Sequence, residues 1–166
     1  MGHHQLDSLD EQILRMIAGN ARIPFLEVAR ACNVSGAAIH QRIQKLRNLG
    51  IIKGSEFVVD TYKIGYQTCA YIGIVLSDIS KFQAVVTELK KVPEIVECHY
   101  ATGKYSMFIK IYAKDNRHLL QIILEYLTTI DGVQHTETFQ LSLDEIFNRQ
   151  LSVFDTEEDD DVEVEE

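Results

Sequence analysis

Between Pro24 and Gly50 the chain reads PFLEVARACNVSGAAIHQRIQKLRNLG, and this run predicts two consecutive helices joined by a tight turn. Proline is well placed at the start of the first helix, because its missing N–H would be unpaired there in any case. Asn33 tolerates the left-handed backbone of a tight turn, Ser35 suits the N-cap of the next helix, and Gly50 ends it. A short helix, a turn and a second helix form the helix-turn-helix pattern.

The second of these helices has two distinct faces. Ile39, Ile43 and Leu46 recur at the spacing of a core-facing stripe. The opposite face begins with small residues, which let a backbone approach DNA closely, and continues with polar and basic ones. From Val28 to Gly54 the chain holds five Lys/Arg and no Asp/Glu, which favours a DNA-recognition helix over an ordinary solvated face. The predicted DNA-binding residues are Ser35, Gly36, Ala37, His40, Gln41, Arg42, Gln44, Lys45, Arg47 and Lys53.

These predicted DNA contacts divide by side-chain chemistry. We expect base edges in the major groove to be read by His40, Gln41 and Gln44. We expect phosphates to be bound by the four cations Arg42, Lys45, Arg47 and Lys53. Phosphate contacts fix the orientation of a protein on the duplex, whereas base contacts supply its sequence preference.

A further helix is predicted upstream of this pair. Asp7 and Asp10 resemble a capping box, with Asp in place of the usual Glu at the second position. The core-facing positions of this helix are Leu9, Ile13, Met16 and Ile17. The short helix that follows has three core candidates, which are Leu26, Val28 and Ala29. The three helices can therefore share one core.

Downstream of Gly50 the sequence predicts the end of this domain. Residues 51–59, IIKGSEFVV, indicate two short strands around a turn, which would form a hairpin or wing beside the helices. We expect the DNA-binding domain to span residues 1–60 and a linker to span residues 61–66.

From residue 67 onward the pattern changes to strands that alternate with helices. The predicted strands are 69–76, 95–101, 105–113 and 133–142, and the predicted helices are 80–92 and 116–130. The order β-α-β-β-α-β is the ferredoxin-like arrangement, so we predict an α+β fold with a βαββαβ domain over residues 67–152. The helix residues expected to face its core are Phe82, Val85, Val86, Leu89, Leu120, Ile123, Leu124 and Leu127.

Two helices can cover only one face of a four-stranded sheet. The other face receives several large apolar side chains, which are Tyr71, Val75, Phe108, Tyr112 and Phe139. An open apolar sheet face favours self-association. We therefore predict at least a dimer formed through this domain.

The net charge of -9 is unusual for a DNA-binding protein, but the charge is unevenly distributed. Residues 155–166, DTEEDDDVEVEE, hold nine acids and no base. Such a block repels itself and has little apolar surface to bury, so we predict a disordered acidic tail over residues 153–166. It serves either as a solvated tail that aids solubility or as a competitor of DNA for the basic surface.

Several other functions are disfavoured by the sequence. No stretch is long and apolar enough for a membrane span, and no signal peptide opens the chain. Cys32, Cys69 and Cys98 lack the paired spacing of disulfide frameworks and zinc sites. No phosphate-binding glycine loop and no catalytic motif such as GxSxG or HExxH is present. We therefore expect a cytoplasmic protein with no membrane partner, cofactor, metal or catalytic residue, and no enzymatic activity.

The chain resembles the Lrp/AsnC (feast/famine) family of transcriptional regulators from residue 6 to about residue 151. The matching segments are LDSLDEQIL at 6–14, NAR at 20–22, VSGAAIHQRIQKLRNLGIIKG at 34–54, ECHYATGKY at 97–105 and DGVQHTETF at 131–139. Each segment is weak alone, but their order and spacing are specific. The resemblance implies palindromic double-stranded DNA as the target, association with the nucleoid, and self-assembly into dimers and often octamers.

The resemblance also implies an amino-acid effector, held between protomers near the turn of the second domain and its last strand. On this chain those positions are Gly103, Lys104, Tyr105, Ser106, Thr136 and Thr138. Family members usually carry an acid at one or both of the positions held here by Lys104 and Ser106, where it would pair with the effector's ammonium group. Thr136 and Thr138 share one sheet face by alternation, and Glu97 or Glu137 could supply the missing acid.

Together these features predict a sequence-specific DNA-binding transcriptional regulator of amino-acid-related metabolism, modulated by an amino-acid-like effector. Two alternatives stay open. One is an architectural DNA-binding protein of the same fold that needs no effector, and the other is an amino-acid-sensing regulatory partner of an enzyme. The basic recognition helix argues against the second alternative.

Overall fold

The computed structural model describes residues 6–141 and Phe147. They divide into two compact units, with the boundary between Phe57 and Val58. The predicted linker over 61–66 corresponds to a turn at residues 61–65, within the second unit. Each unit has a hydrophobic core of its own.

The first unit contains three helices, α1 (Ser8–Gly19), α2 (Phe25–Ala31) and α3 (Gly36–Asn48). Their shared core is formed by Ile13, Leu14, Val28, Ala29, Ile39, Ile43 and Leu46. Ser35 caps α3, because its Oγ accepts a hydrogen bond from the N–H of Ala38 at 3.2 Å. Asn33 has φ 52°, so the turn between α2 and α3 has the left-handed residue that the sequence predicted. The helix-turn-helix is confirmed.

Two predictions for this unit are wrong. Leu26 is 65% exposed, because α2 has only seven residues and Phe25 falls between Val28 and Ala29 on its inner side. The predicted hairpin is missing, since residues 51–60 contain no strand. The backbone N–H groups of Ile51 and Ile52 instead donate to the carbonyl of Leu46, at 3.0 and 3.2 Å, and so extend the end of α3.

The second unit is a four-stranded antiparallel sheet with two helices. Its strands are β1 (Thr68–Leu76), β2 (Ile95–Tyr100), β3 (Met107–Ala113) and β4 (Val133–Leu141), and its helices are α4 (Phe82–Leu89) and α5 (Asn116–Glu125). Single 3-10 turns lie before α4 at Ile79–Lys81 and after α5 at Leu127–Thr129, so both helices are shorter than predicted. The spatial order β2-β3-β1-β4 confirms the ferredoxin-like fold and the α+β class.

One face of the sheet packs on the two helices. Its buried residues are Ala70, Ile72, Ile74, Leu76, Met107, Ile109, Ile111 and Ala113, which meet Val85, Leu89, Leu119 and Ile122 of the helices. The predicted inner face of α5 is partly wrong, because Leu120 and Leu124 are 54% and 57% exposed. The run LLQIIL offers apolar residues on two adjacent faces, so periodicity alone did not determine which face turns inward.

The opposite face of the sheet carries the large apolar residues that the sequence assigned to it. Strand pairing sets Gly73 opposite Phe108 and Tyr71 opposite Phe139, and cross-strand partners point to the same side. Lys110 also lies on this face, with its Nζ 3.4 Å from a carboxylate oxygen of Glu97. No helix of the second unit covers this side in the described part of the chain, so we call it the open face.

Candidate DNA interface and effector face

Helix α3 presents most of the predicted DNA-binding residues to solvent. The exposed ones are Ser35, Ala37, His40, Gln41, Gln44, Lys45, Arg47 and, beyond the helix, Lys53, while Gly36 and Arg42 are half-buried. A Cβ at Gly36 would meet nothing within 4 Å, so the first turn of α3 is open to an approaching molecule. The Nε2 of Gln44 donates to the side chain of Asn48 at 3.0 Å, which leaves the carbonyl oxygen of Gln44 outside that bond.

His40 and Arg47 lie along one flank of α3. The ring of His40 meets that of Phe25 from α2 edge-on, with the centroids 4.8 Å apart. The charged groups of Arg47 and Lys53 form no salt bridge with any other residue that the structure describes. Both cations are therefore positioned to bind phosphates, as the sequence predicted.

The other two predicted phosphate ligands are held by acids of the same unit. Asp10 of α1 is fully buried, and its carboxylate accepts from Lys45 Nζ at 2.9 Å and from Arg42 at 3.1 Å. Arg42 also pairs with Asp7, the N-cap residue of α1. Burial raises the pKa of Asp10, but the hydrogen bonds from Lys45 and Arg42 outweigh it and hold the pKa below its usual value.

The sequence did not indicate this role of Asp10. As predicted, its N–H donates to the side chain of Asp7 at 2.8 Å, but the Asp10 carboxylate does not complete a capping box. The signal was its spacing, because Asp10 lies three and four residues before the buried Ile13 and Leu14 and so shares their helix face. An acid on an inner face requires a cation, and the two cations are separated by one turn on α3.

On the open face, the predicted effector turn comes close to the centre of the sheet. The aromatic ring of Tyr105 lies directly over Gly73, so closely that a Cβ there would be 2.7 Å from a ring carbon. Rings of Phe108 and Phe139 flank it, with centroids 5.0 and 6.3 Å away. Gly103 has φ 127°, a conformation that favours glycine in the turn.

Two residues of this turn bind one carboxylate on β4. Lys104 Nζ donates to Glu137 at 2.6 Å, and the hydroxyl of Tyr105 donates to the same oxygen. The bond with Lys104 lowers the pKa of Glu137 and raises the pKa of Lys104. Ser106 instead joins β1, since its N–H donates to Ile74 at 2.8 Å and its Oγ accepts from the N–H of Leu76 at 3.3 Å.

The structure does not bring the two predicted threonines to this turn. Thr136 pairs with Ile74 and Thr138 with Ile72, so both threonines share the side of the sheet that faces the helices. Glu137 pairs with Gly73 and therefore lies on the open face. Alternation correctly placed the threonines together, but it did not say which face they share.

No group of three His, Cys, Asp or Glu that could hold a metal ion occurs among residues 6–141 and Phe147. Within the same residues, no helix is long and apolar enough to cross a membrane. A helix-turn-helix with an exposed polar helix, joined to a ferredoxin-like domain with an open face, defines a DNA-binding regulator with a separate regulatory domain.

Comparisons with known proteins agree with this class. Residues 6–47 match the AsnC-type helix-turn-helix domain, and residues 69–150 match the Lrp/AsnC ligand binding domain. The chain is 39% identical over 135 residues to the regulatory protein AsnC of Haemophilus influenzae, covering 81% of this chain and 90% of that protein. It is 35% identical over 138 residues to AsnC of Escherichia coli K12, covering 83% and 91%.

Solved structures give the same result. The structure of Escherichia coli AsnC superposes with a TM-score of 0.82 at 33% identity, covering 90% of this chain and 99% of that one. A transcriptional regulator of Neisseria meningitidis in complex with L-methionine shares the fold, with a TM-score of 0.79 at 20% identity and coverage of 87% and 94%. The chain belongs to the Lrp/AsnC family of DNA-binding transcriptional regulators.

Proposed function

We propose that this protein binds palindromic DNA as a dimer or larger homo-oligomer, regulates amino-acid-related genes on the cytoplasmic nucleoid, and responds to an amino-acid-like effector. The observation that carries the proposal is the outer face of α3, where Gln41 and Gln44 are exposed opposite the buried stripe of that helix. Glutamine side chains can bond two edge atoms of adenine in the major groove. Arg47 and Lys53 contribute phosphate contacts.

Self-association is proposed through the open face of the sheet. Phe139 is 42% exposed there, beside the rings of Phe108 and Tyr105. Pairing two such faces removes apolar surface from water and gives a two-fold protein that matches a two-fold DNA site. Assembly beyond the dimer is part of the proposal that the family resemblance suggests.

The proposed effector site comprises the turn with Gly103, Lys104, Tyr105 and Ser106, and Glu137 of β4 in place of the predicted threonines. An amino acid needs donors for its carboxylate and an acidic acceptor for its ammonium group. Glu137 is such an acceptor, but Lys104 and Tyr105 already bond to it. Support for an amino acid comes from the Neisseria meningitidis regulator of the same fold, which was solved with L-methionine.

The bond between Lys104 and Glu137 also favours a second candidate function. A carboxylate that is already paired with a lysine of its own chain does not need an effector. The alternative is therefore an architectural DNA-binding protein that needs no small molecule. The two candidates differ in whether an amino acid changes DNA binding.

Selection of bound fragments from a genomic DNA library, with and without a panel of amino acids, tests the proposal. A regulator yields a common motif and an amino acid that alters its affinity, whereas the architectural protein yields the same binding under all conditions. Calorimetric titration of Lys104→Met then tests the site. Freeing Glu137 should strengthen amino-acid binding roughly tenfold, because a charged hydrogen bond becomes available to the ammonium group. Unchanged affinity would place the effector elsewhere.

A further inference from the structure

Asp10 is the one charged side chain that is fully buried among the residues that the structure describes. Isolated buried carboxylates are unfavourable, so they persist where cations compensate them. Both of its cations come from the recognition helix α3, and each takes a different carboxylate oxygen. Lys45 binds Oδ2 at 2.9 Å and Arg42 binds Oδ1 at 3.1 Å.

The positions of these cations on α3 explain what the contact does. A helix turns once in about 3.6 residues, so Arg42 and Lys45 lie on one flank, between the buried stripe and the outer face. Gln41 and Gln44 precede them by one residue and lie on the outer face. The opposite flank is held by the ring of His40 against Phe25 of α2. Helix α3 is therefore held on both flanks, by α1 and by α2.

We propose that Asp10 is a positioning residue for DNA recognition, which fixes the rotation of α3 through Arg42 and Lys45. In this arrangement the two cations anchor the helix to α1 and do not serve as phosphate ligands. The inference rests on the proposed function, since it concerns how α3 meets DNA. It also revises the role that the sequence suggested for Arg42 and Lys45.

The two roles predict opposite effects of Asp10→Asn. If Arg42 and Lys45 are anchors, the amide removes the charge that holds them, α3 loses its fixed rotation, and affinity for the selected DNA site falls about tenfold. The slope of log K against log salt stays the same, because no phosphate contact is lost. If the cations are phosphate ligands, releasing them tightens binding to all DNA and steepens the slope by about 0.9 per new contact.

The experiment measures fluorescence anisotropy of the full chain on its selected site and on a scrambled duplex, across a series of salt concentrations. Glu11→Gln is the matched control, because Glu11 adjoins Asp10 on α1 and its substitution removes the same charge outside the cluster. We expect Asp10→Asn to reduce the ratio of specific to nonspecific affinity, and Glu11→Gln to leave it unchanged. A loss of stability alone would lower the active fraction on both duplexes alike, without changing this ratio.

A second set of variants covers the case in which Asp10→Asn does not fold. Lys45→Gln alters a half-exposed side chain and leaves Arg42 on the buried carboxylate. As an anchor, Lys45 should affect specificity with an unchanged salt slope, whereas the loss of a phosphate ligand lowers the slope by about 0.9. A lower slope for Lys45→Gln, or tighter binding by Asp10→Asn, overturns the inference. Wild-type protein without any sequence preference would overturn the proposed function itself.

Discussion

Gly73→Ala should disturb the effector turn from the centre of the sheet. The backbone of Gly73 is that of an ordinary strand residue, so alanine meets no conformational penalty there. The new Cβ, however, would lie 2.7, 2.8 and 2.9 Å from three carbons of the Tyr105 ring. Carbon atoms that are not bonded prefer separations of about 3.5–4.0 Å. The ring must therefore move by most of an ångström.

The size of the effect follows from how the ring is held. Tyr105 is rigid, lies between Phe108 and Phe139, and donates its hydroxyl to Glu137. Overpacking of this kind costs about 1–3 kcal/mol. For a domain of this size each kcal/mol lowers the melting temperature by about 4–8 °C. We also expect weaker effector binding, because a displaced Tyr105 no longer orients Glu137.

A thermal melt followed by circular dichroism and a calorimetric titration measure both effects. Gly19→Ala is the matched control, since nothing lies within 4 Å of a Cβ at that position. The double variant Gly73→Ala, Tyr105→Ala tests the mechanism, because removal of the ring should make Gly73→Ala nearly neutral. Wild-type stability of Gly73→Ala, or additive losses in the double variant, would refute the proposed clash.

Three further predictions concern the other contacts. Arg47→Ala and Lys53→Ala should each lower the salt slope of DNA binding by about 0.9 in anisotropy titrations, and an unchanged slope would exclude a phosphate contact. Phe108→Asp should shift the full chain toward monomer in light scattering, because it places a charge on the proposed apolar interface; unchanged mass would argue for another interface. Asp10 has a lowered pKa in the folded protein, so the stability that it contributes is present at neutral pH and lost as the pH falls through that pKa. The difference in unfolding free energy between wild type and Asp10→Asn should therefore shrink in urea melts at acid pH, and a difference that grows would contradict the ion pairs.

Sequence patterns predicted the elements well where periodicity and caps agree. Ser35 and Asn33 marked the turn of the helix-turn-helix, and the order of strands and helices was sufficient for the ferredoxin-like fold. The inner face of α5 could not be predicted, because LLQIIL has apolar residues on two adjacent faces. The predicted hairpin after Gly50 failed for a different reason. A strand requires a hydrogen-bonding partner, and a local pattern does not show whether one exists.

The sites depended on contacts between distant residues, which a linear pattern does not contain. The pairing of Asp10 with Arg42 and Lys45 joins positions more than thirty residues apart, so all three residues were interpreted from their local surroundings alone. The register of β4 against β1 decided that Glu137, and not the neighbouring threonines, lies beside Tyr105. Periodicity gives the alternation of a strand, while only its pairing determines the face.

The central claim is that α3 reads DNA sequence through its outer face. The most direct measurement compares the DNA motifs selected by wild type, Gln41→Ala and Gln44→Ala from one random library. Each substitution should relax preference at particular base pairs, by about 1–3 kcal/mol per lost bidentate contact, while nonspecific affinity is retained. Identical motifs from all three proteins would contradict the claim.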